Sequence, residues 1–229
     1  MTATELSNEF NILWDNIESG SAPGVDEYEK SIFFTIAQEE LILKYAEQFD
    51  SSERARRILD GVVKSLSKTQ DAATEGITVN VEPLDSTYSK FYSIPDDLWM
   101  ILHEHAIVAT KRVAIVPISL DDYNIEVDNP FRKPNSKLIW RFDVNNGGAN
   151  NERLVELIST NTITKYNLRY IKEPSPIITD GSISKDIRGV TPSTVLNPSI
   201  NDLAFNELLD LAVNLAYKAF MDGRLKSQQ

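Results

Sequence analysis

The chain has 229 residues, no cysteine and a net charge of −11. Without cysteine it cannot use disulfides, thiolate catalysis, cysteine-ligated zinc or iron–sulfur clusters, and a chain of this length can bury a core without such cross-links. The N-terminal sequence lacks the basic and apolar regions of a signal peptide, and no apolar run approaches the roughly 20 residues that span a bilayer, so no membrane contact is expected.

The negative charge is concentrated at one end of the chain. Residues 1–50 hold eleven carboxylates and two lysines, which gives this segment a net charge of −9. Phosphate binding depends on Lys and Arg, so this end is not expected to grip nucleic acid. Its acidity suits either a basic partner surface or solubility.

Two amphipathic helices are predicted at the N-terminal end, over residues 2–19 and 26–49. Thr2 and Glu5 have the spacing of a capping box, and Asp26 and Glu29 repeat it at the start of the second helix. Gly20 is placed to end the first helix within a short turn, which predicts an antiparallel helical hairpin. The apolar face of the second helix comprises Ile32, Phe33, Ile36, Ala37, Leu41, Leu43, Tyr45 and Phe49.

Residues 51–71 are ambiguous. A third helix capped by Ser52 is one interpretation, although Gly61 weakens it. The basic run Arg54, Arg56 and Arg57 suits contact with an acidic partner or nucleic acid, or simply a solvated face.

The middle of the chain is rich in short, β-branched segments that predict strands. Residues 145–148 (NNGG) predict a hairpin turn between two of them, because Asn and Gly tolerate positive φ. Asp121 and Asp122 are interpreted as turn residues at a strand end, with paired catalytic carboxylates as the alternative. The predicted strands, which together indicate an antiparallel sheet, are 77–81, 98–109, 111–119, 137–144, 153–160 and 162–171.

Residues 173–198 are predicted to form an extended, proline-rich arm, because prolines this dense prevent a helix. Its apolar side chains are too numerous for a free linker, so the arm should lie on its own domain or on a neighbour. We hypothesise that 177–196 crosses onto a neighbouring subunit or onto a partner protein. The apolar residues that carry this prediction are Ile177, Ile178, Ile183, Ile187, Val190, Val195 and Leu196.

The C-terminal end is predicted to be a helix of small and apolar residues that Gly223 ends. The expected fold class is therefore α+β, with the N-terminal helical hairpin and the C-terminal helix packed together, a central antiparallel β insertion and a long extended arm. The expected divisions are 1–72 with 199–223 as a helical layer, 73–172 as a β-rich module, 173–198 as the arm and 224–229 as a polar tail.

His103 and His105 are the only histidines in the chain and the only residues that suggest a metal site. Two residues apart on a strand, they would share one face, but any third ligand would have to be a carboxylate. A metal-dependent hydrolase that uses these two histidines is therefore one alternative function, and a monomeric binding module is another. The glycines form no phosphate-binding loop, so no cofactor is predicted.

Several strings occur together in an order that identifies a family resemblance. They are LWDNI (13–17), APGVDEYEKSIFFTIAQEELI (22–42), FYSIPDDLWMILHE (91–104), VPISLDDYNIEVDNPFRKPNSKLIWRFD (116–143), YNLRYIKEP (166–174) and NPSI (197–200). In that order the chain resembles, over about residues 8–222, the neck structural proteins of crAss-like tailed bacteriophages. The residues that match the recurring motifs are Asn129, Pro130, Arg132, Lys133, Pro134, Trp140, Arg141, Arg169, Tyr170, Pro174 and Pro176.

The resemblance implies an architectural protein of the virion and no catalytic residues. It implies a ring, expected to be dodecameric, that sits under the portal protein, contacts other neck or tail proteins and surrounds DNA without reading its sequence. Assembly would take place in the bacterial cytoplasm. To the apolar residues of the arm, the matching positions add Arg132, Lys133, Trp140, Arg169 and Tyr170 as candidate interface residues.

Overall fold

The computed structural model describes residues 1–17, 24–145, 153–183, 185–192 and 194–227. The chain divides into two compact units. Met1–Val62 and Pro174–Gln229 form the first, here the helical unit, and Val63–Glu173 form the second, here the sheet unit. No helix in the described ranges is both long and apolar enough to cross a membrane.

In its described residues, the helical unit contains four helices and a short 3₁₀ turn. The two predicted N-terminal helices are confirmed, and the Asp26–Glu29 capping box is present at the start of the second. Residues 18–23, with Gly20, lie outside the described residues, so the hairpin stays a prediction. The helices are α1 (Ala3–Ile17), α2 (Glu27–Glu47), α3 (Glu53–Ile58) and α5 (Phe205–Ser227), with the 3₁₀ turn at Asp202–Ala204.

The core of the helical unit lies where α1, α2 and α5 meet. The rings of Phe10 and Phe34 pack edge to face with their centroids 5.7 Å apart, and Trp14 packs against Phe220 at 6.1 Å. Such aromatic pairs add to the free energy gained by burying apolar surface. The apolar face of α2 is buried at Phe34, Ala37, Leu41, Ile42 and Tyr45, and Phe49 is buried just beyond the helix, whereas the predicted Leu43 is exposed.

The predicted end of the C-terminal helix at Gly223 is wrong, because α5 continues through this glycine to Ser227. A glycine inside a helix costs only about 1 kcal/mol relative to alanine. Leu, Lys and Arg follow Gly223 closely, and these good helix formers make up for that cost.

The ambiguous stretch over residues 51–71 is helical only as far as Ile58, so the interpretation of 51–68 as one helix is wrong beyond that residue. Helix α3 is capped by Ser52, as expected, but it stops at Ile58, and residues 63–68 form a strand. A Cβ atom on Gly61 would collide with the backbone carbonyl oxygen of Ser199. A glycine is needed here because two stretches of backbone approach each other closely, which is a common reason for glycine at a fixed position.

Replacing Gly61 by alanine tests this close approach. In an ordinary helix the change would stabilise the protein by about 1 kcal/mol. Here we expect Gly61→Ala to lower the free energy of unfolding by about 1–3 kcal/mol, the usual cost of forcing an extra methyl group into a packed site. Gly24→Ala is the matched control, since nothing lies within 4 Å of a Cβ at Gly24. Urea denaturation of both variants is the measurement, and a stabilised Gly61→Ala would contradict the close approach.

Outside residues 146–152, the sheet unit forms a curled sheet of seven strands in the order β1-β7-β3-β4-β5-β6-β2. Every pairing is antiparallel except that of β4 with β5, which run parallel. A wholly antiparallel sheet was therefore the wrong expectation. The long connection between β4 and β5 contains helix α4 (Leu120–Glu126), which provides the length that a parallel crossover needs. The strands are β1 (Val63–Lys68), β2 (Ser89–Ser93), β3 (Leu98–Val108), β4 (Lys111–Pro117), β5 (Leu138–Asn145), β6 (Arg153–Ile158) and β7 (Ile163–Lys172).

Five of the six predicted strands are confirmed, as β3 to β7. The predicted strand 77–81 is wrong, because its alternating Ile77, Val79 and Val81 pack against a small apolar cluster without joining a strand ladder. The turn predicted at 145–148 falls almost wholly on residues 146–152, outside the described residues. Asp121 and Asp122 lie in the first turn of α4, so a turn at the end of β4 was also wrong.

The inner face of the sheet is apolar and holds the core of its unit. Tyr166, Leu168 and Leu157 are at most 2% exposed there. Because side chains alternate across a strand, the residues between them lie on the outer face of the sheet.

Candidate interaction surfaces

A row of polar side chains on α2 is buried and binds the proline-rich segment. The Thr35 hydroxyl oxygen accepts a hydrogen bond from the backbone N–H of Ile177 at 3.0 Å, and the Ser31 hydroxyl oxygen accepts one from Thr179 N–H at 3.1 Å. Gln38 is fully buried, donates to the Ser175 carbonyl at 2.9 Å and accepts from Ser199 N–H at 2.6 Å. Buried polar groups need such partners, so these bonds fix the segment on α2.

The start of the proline-rich segment therefore lies on its own helical unit, which was one of the two expected locations. Ile177 is fully buried and Ile178 is 1% exposed. Ile178 and Leu196 exchange backbone hydrogen bonds of 3.0 and 3.1 Å, which bring the two ends of the segment together. The described residues between them form an irregular loop, here called the arm loop (residues 180–183, 185–192 and 194–195).

The arm loop carries exposed apolar residues of the predicted interface. Ile187, Val190 and Val195 are 40%, 61% and 40% exposed, whereas Ile183 is half-buried. The Asp186 carboxylate accepts hydrogen bonds from the backbone N–H groups of Arg188 (2.9 Å) and Val190 (2.8 Å), which closes a tight turn. The exposed apolar side chains are therefore presented by a locally ordered loop.

Gln38→Leu removes the side chain that binds both ends of the proline-rich segment. It leaves two backbone groups without their partner, and we expect the free energy of unfolding to fall by about 1–3 kcal/mol. Urea denaturation measures this loss, and faster amide exchange at Ile177 and Thr179 would show that the segment loosens locally.

Gln48→Leu, at the exposed C-terminal end of α2, is the matched control and should change stability by no more than about 0.5 kcal/mol. Equal losses for the two variants would mean that Gln38 does not hold the segment.

A second exposed surface surrounds α4 and the loop that follows it, here called the α4 projection (residues 118–137). Phe131 is 91% exposed and Ile125 is 74% exposed, which is unusual for side chains of this size. Arg132 and Lys133 are also exposed, and the Arg132 guanidinium lies 2.6 Å from the Glu126 carboxylate. The α4 projection thus displays apolar and basic groups side by side.

Two of the predicted interface residues lie inside the sheet unit. Trp140 is 4% exposed, and its ring packs edge to face on Tyr123 of α4 at 5.9 Å. Tyr170 is 6% exposed, and its hydroxyl donates to the Asp97 carboxylate at 3.2 Å. Burial and the nearby Asp97 charge raise the pKa of Tyr170. These two residues can support an interface from within, but they present little surface to a partner.

A buried ion pair lies on the inner face of the sheet. The Arg141 guanidinium is 2.8 Å from one oxygen of Glu104, and the Tyr166 hydroxyl donates to the other oxygen at 3.0 Å. Burial, together with the Glu104 carboxylate, raises the pKa of Tyr166 strongly. All three side chains are occupied with one another, so the cluster is suited to holding β3, β5 and β7 together and not to proton transfer.

Arg141→Met should lower the free energy of unfolding, because it leaves the Glu104 charge buried without its partner. Breaking a buried ion pair in this way costs about 3–5 kcal/mol. In the double variant Arg141→Met with Glu104→Gln, the amide still accepts from Tyr166 but carries no charge, so most of the loss should be recovered. Urea denaturation of the two variants is the measurement, and a double variant no more stable than the single one would show that the loss comes from packing alone.

His103 and His105 share the outer face of β3, as their spacing predicts. Their rings are 5.5 Å apart, and His105 Nε2 lies 3.2 Å from the amide nitrogen of Asn167. Burial, then the positive charge of Arg112 and the proximity of His103, lower the pKa of His105. No group of three side chains able to hold a metal ion occurs among the described residues, and Glu104 is bound to Arg141 on the inner face.

In these surfaces the buried polar groups fix elements of the fold, and the arm loop and the α4 projection display apolar and basic groups to the outside, as suits a protein that works through contacts. The chain matches the family model described as phage tail ring protein 3/4 over residues 1–225, and it belongs to that family. It is 34% identical to ring protein 4/5 of Bacteroides phage crAss001 over 241 aligned positions, which cover 99% of this chain and 96% of that protein. It is also 33% identical to ring protein 3 of the same phage, over 94% of this chain and 95% of that protein.

The family resemblance inferred from the sequence is thereby confirmed, and the protein is a member of a virion structural family of crAss-like phages. The names of its relatives are those of ring components and not of enzymes, which favours a structural role.

Proposed function

We propose that the protein is a head–tail connector of the phage neck that assembles as a dodecameric ring under the portal protein. In this role it lines part of the DNA exit channel and contacts other neck or tail proteins, and it joins the virion in the cytoplasm of the host. The observation that carries the proposal is the match over nearly the whole chain to ring proteins of a crAss-like phage.

A ring of identical subunits requires heterologous contacts, in which a patch on one subunit meets a different patch on the next. The chain displays suitable patches on both units. The helical unit presents Ile187, Val190 and Val195 on the arm loop, and the sheet unit presents Arg132 and Lys133 on the α4 projection. Arg169 is exposed on β7, whereas Ile177, Ile178, Trp140 and Tyr170 support these surfaces from within.

The charge of the chain supports passage of DNA without binding to it. With a net charge of −11, a ring of such subunits repels a phosphate backbone at distances up to about a Debye length, roughly 8 Å at physiological salt. A channel wall with this property lets DNA pass without holding it.

Mass photometry of the purified protein alone and mixed with its portal tests the proposal. We expect a ring of twelve copies in the mixture, and in Phe131→Ser we expect the ring to be lost because the most exposed apolar side chain of the α4 projection is removed. Leu203→Ser is the matched control, since Leu203 is 55% exposed but lies outside the α4 projection and the arm loop. A wild-type chain that stays monomeric with the portal would contradict the proposal and favour a monomeric binding module.

A further inference from the structure

The outer face of strands β1, β7, β3 and β4 carries basic side chains from three of these strands. In the strand register, His103 lies opposite Arg169, and Ile107 lies opposite both Lys165 and Arg112. Residues directly opposite each other share one face, with Cβ atoms roughly 4.5–5.5 Å apart. We call His103, His105, Arg112, Lys165 and Arg169 the basic sheet face.

The basic sheet face contains no carboxylate. Its side chains line a depression of about 420 Å³ whose other residues are apolar, or are Ser65, Ser67 and Asn167. Glu104 is the closest acidic residue along β3, and it faces the opposite side of the sheet, where Arg141 neutralises it. In a chain with a net charge of −11, this cluster of positive charge is suited to an anionic partner.

The acidic counterpart is on α1 of the same chain. This helix contains Glu5, Glu9 and Asp15 and no Lys or Arg, and all three carboxylates are exposed on one side of it. Ile12 lies between them and is 56% exposed. None of the three carboxylates forms an ion pair within the described part of the chain.

We propose that the basic sheet face of one subunit binds the acidic face of α1 on a second copy of the chain. The inference rests on the ring proposed above and names one of its subunit contacts. The permanent cations Arg112 and Lys165 face the carboxylates of α1, and Ile107 on one surface matches Ile12 on the other. Each copy carries both surfaces, so the contact repeats from subunit to subunit, as a ring requires.

A duplex DNA is the alternative anion for the basic sheet face, and the observations favour the protein surface. The helical unit has 19 carboxylates against ten Lys and Arg, a net charge of −9, so DNA that approaches the chain meets strong repulsion. The same charge attracts the basic sheet face of another copy, and complementary charges of this kind set the register of a contact.

Paired charge reversals test the contact, with ring formation on the portal followed by mass photometry. Variant A carries Arg112→Glu and Lys165→Glu, and variant B carries Glu5→Lys and Glu9→Lys. Each variant alone places like charges opposite each other, so we expect its ring yield to fall at least about tenfold. In an equimolar mixture every contact between A and B joins opposite charges, so alternating rings should form again. This rescue separates a direct contact from a general effect of charge.

Lys64→Glu with Lys111→Glu is the matched control, because both lysines are exposed in the sheet unit but lie outside the basic sheet face and the α4 projection. It should assemble like the wild type, and thermal unfolding of all variants verifies that they fold. If wild-type rings form and variants A and B also assemble alone, or if their mixture does not recover, the inference is wrong while the ring proposal stands. If the wild type forms no ring, the proposed function itself fails.

Binding of a fluorescent duplex DNA to wild-type protein and variant A completes the test. We expect the wild type not to bind DNA at physiological salt. Loss of DNA binding in variant A with unchanged assembly would assign the basic sheet face to nucleic acid and overturn the contact between copies.

Discussion

The helical unit depends on the burial of polar side chains along α2. One side of this helix packs its apolar residues against α1 and α5, as an amphipathic helix should. The side that would otherwise be solvated carries Ser31, Thr35 and Gln38, and the proline-rich segment covers it with backbone N–H and C=O groups that those side chains satisfy. Helix α2 is therefore where α1, from the N-terminal part of the chain, meets the proline-rich segment and α5, from the C-terminal part. A proline-rich segment has few internal hydrogen bonds, so partners on another element are what give it a fixed position.

The two N-terminal helices, the C-terminal helix and most of the strands could be predicted because their signals are local, whereas α4 was missed. The capping box at Asp26 and the three- and four-residue spacing of apolar side chains are read directly from neighbouring residues. Strands β1 and β2 were missed because VKSLSK and SKFYS are short and polar. Both are edge strands of the sheet, so each pairs with a neighbouring strand along only one of its edges. The helix that ends before Gly61 could not be delimited from the sequence for a different reason. The carbonyl of Ser199, which leaves no room for a side chain at position 61, lies far away in the sequence.

The candidate surfaces were predicted less completely, because exposure is a property of the fold and not of residue type. Trp140 and Ile177 resemble interface anchors in the sequence, yet Tyr123 covers the first and Thr35 holds the backbone of the second. The basic sheet face could not be found by scanning for charge runs, since its residues come from three strands that the register makes neighbours. A signal was present in the alternation of Lys165, Asn167 and Arg169, which puts three polar residues on one face of β7.

The distribution of charge connects the subunit contact with the proposed channel. The sheet unit is nearly neutral, with 15 carboxylates against 13 Lys and Arg, so its basic sheet face is a local cluster and not part of a general positive field. If α1 of the next subunit covers that cluster, its positive side chains are no longer exposed to solvent. The carboxylates of the helical unit then outnumber the Lys and Arg side chains that are still exposed on the ring. Phosphates bind where Lys and Arg displace counterions, and a ring whose cations are occupied by neighbouring subunits offers few such places. The same ion pairs that join the subunits would therefore also keep the ring from holding the DNA that passes through it.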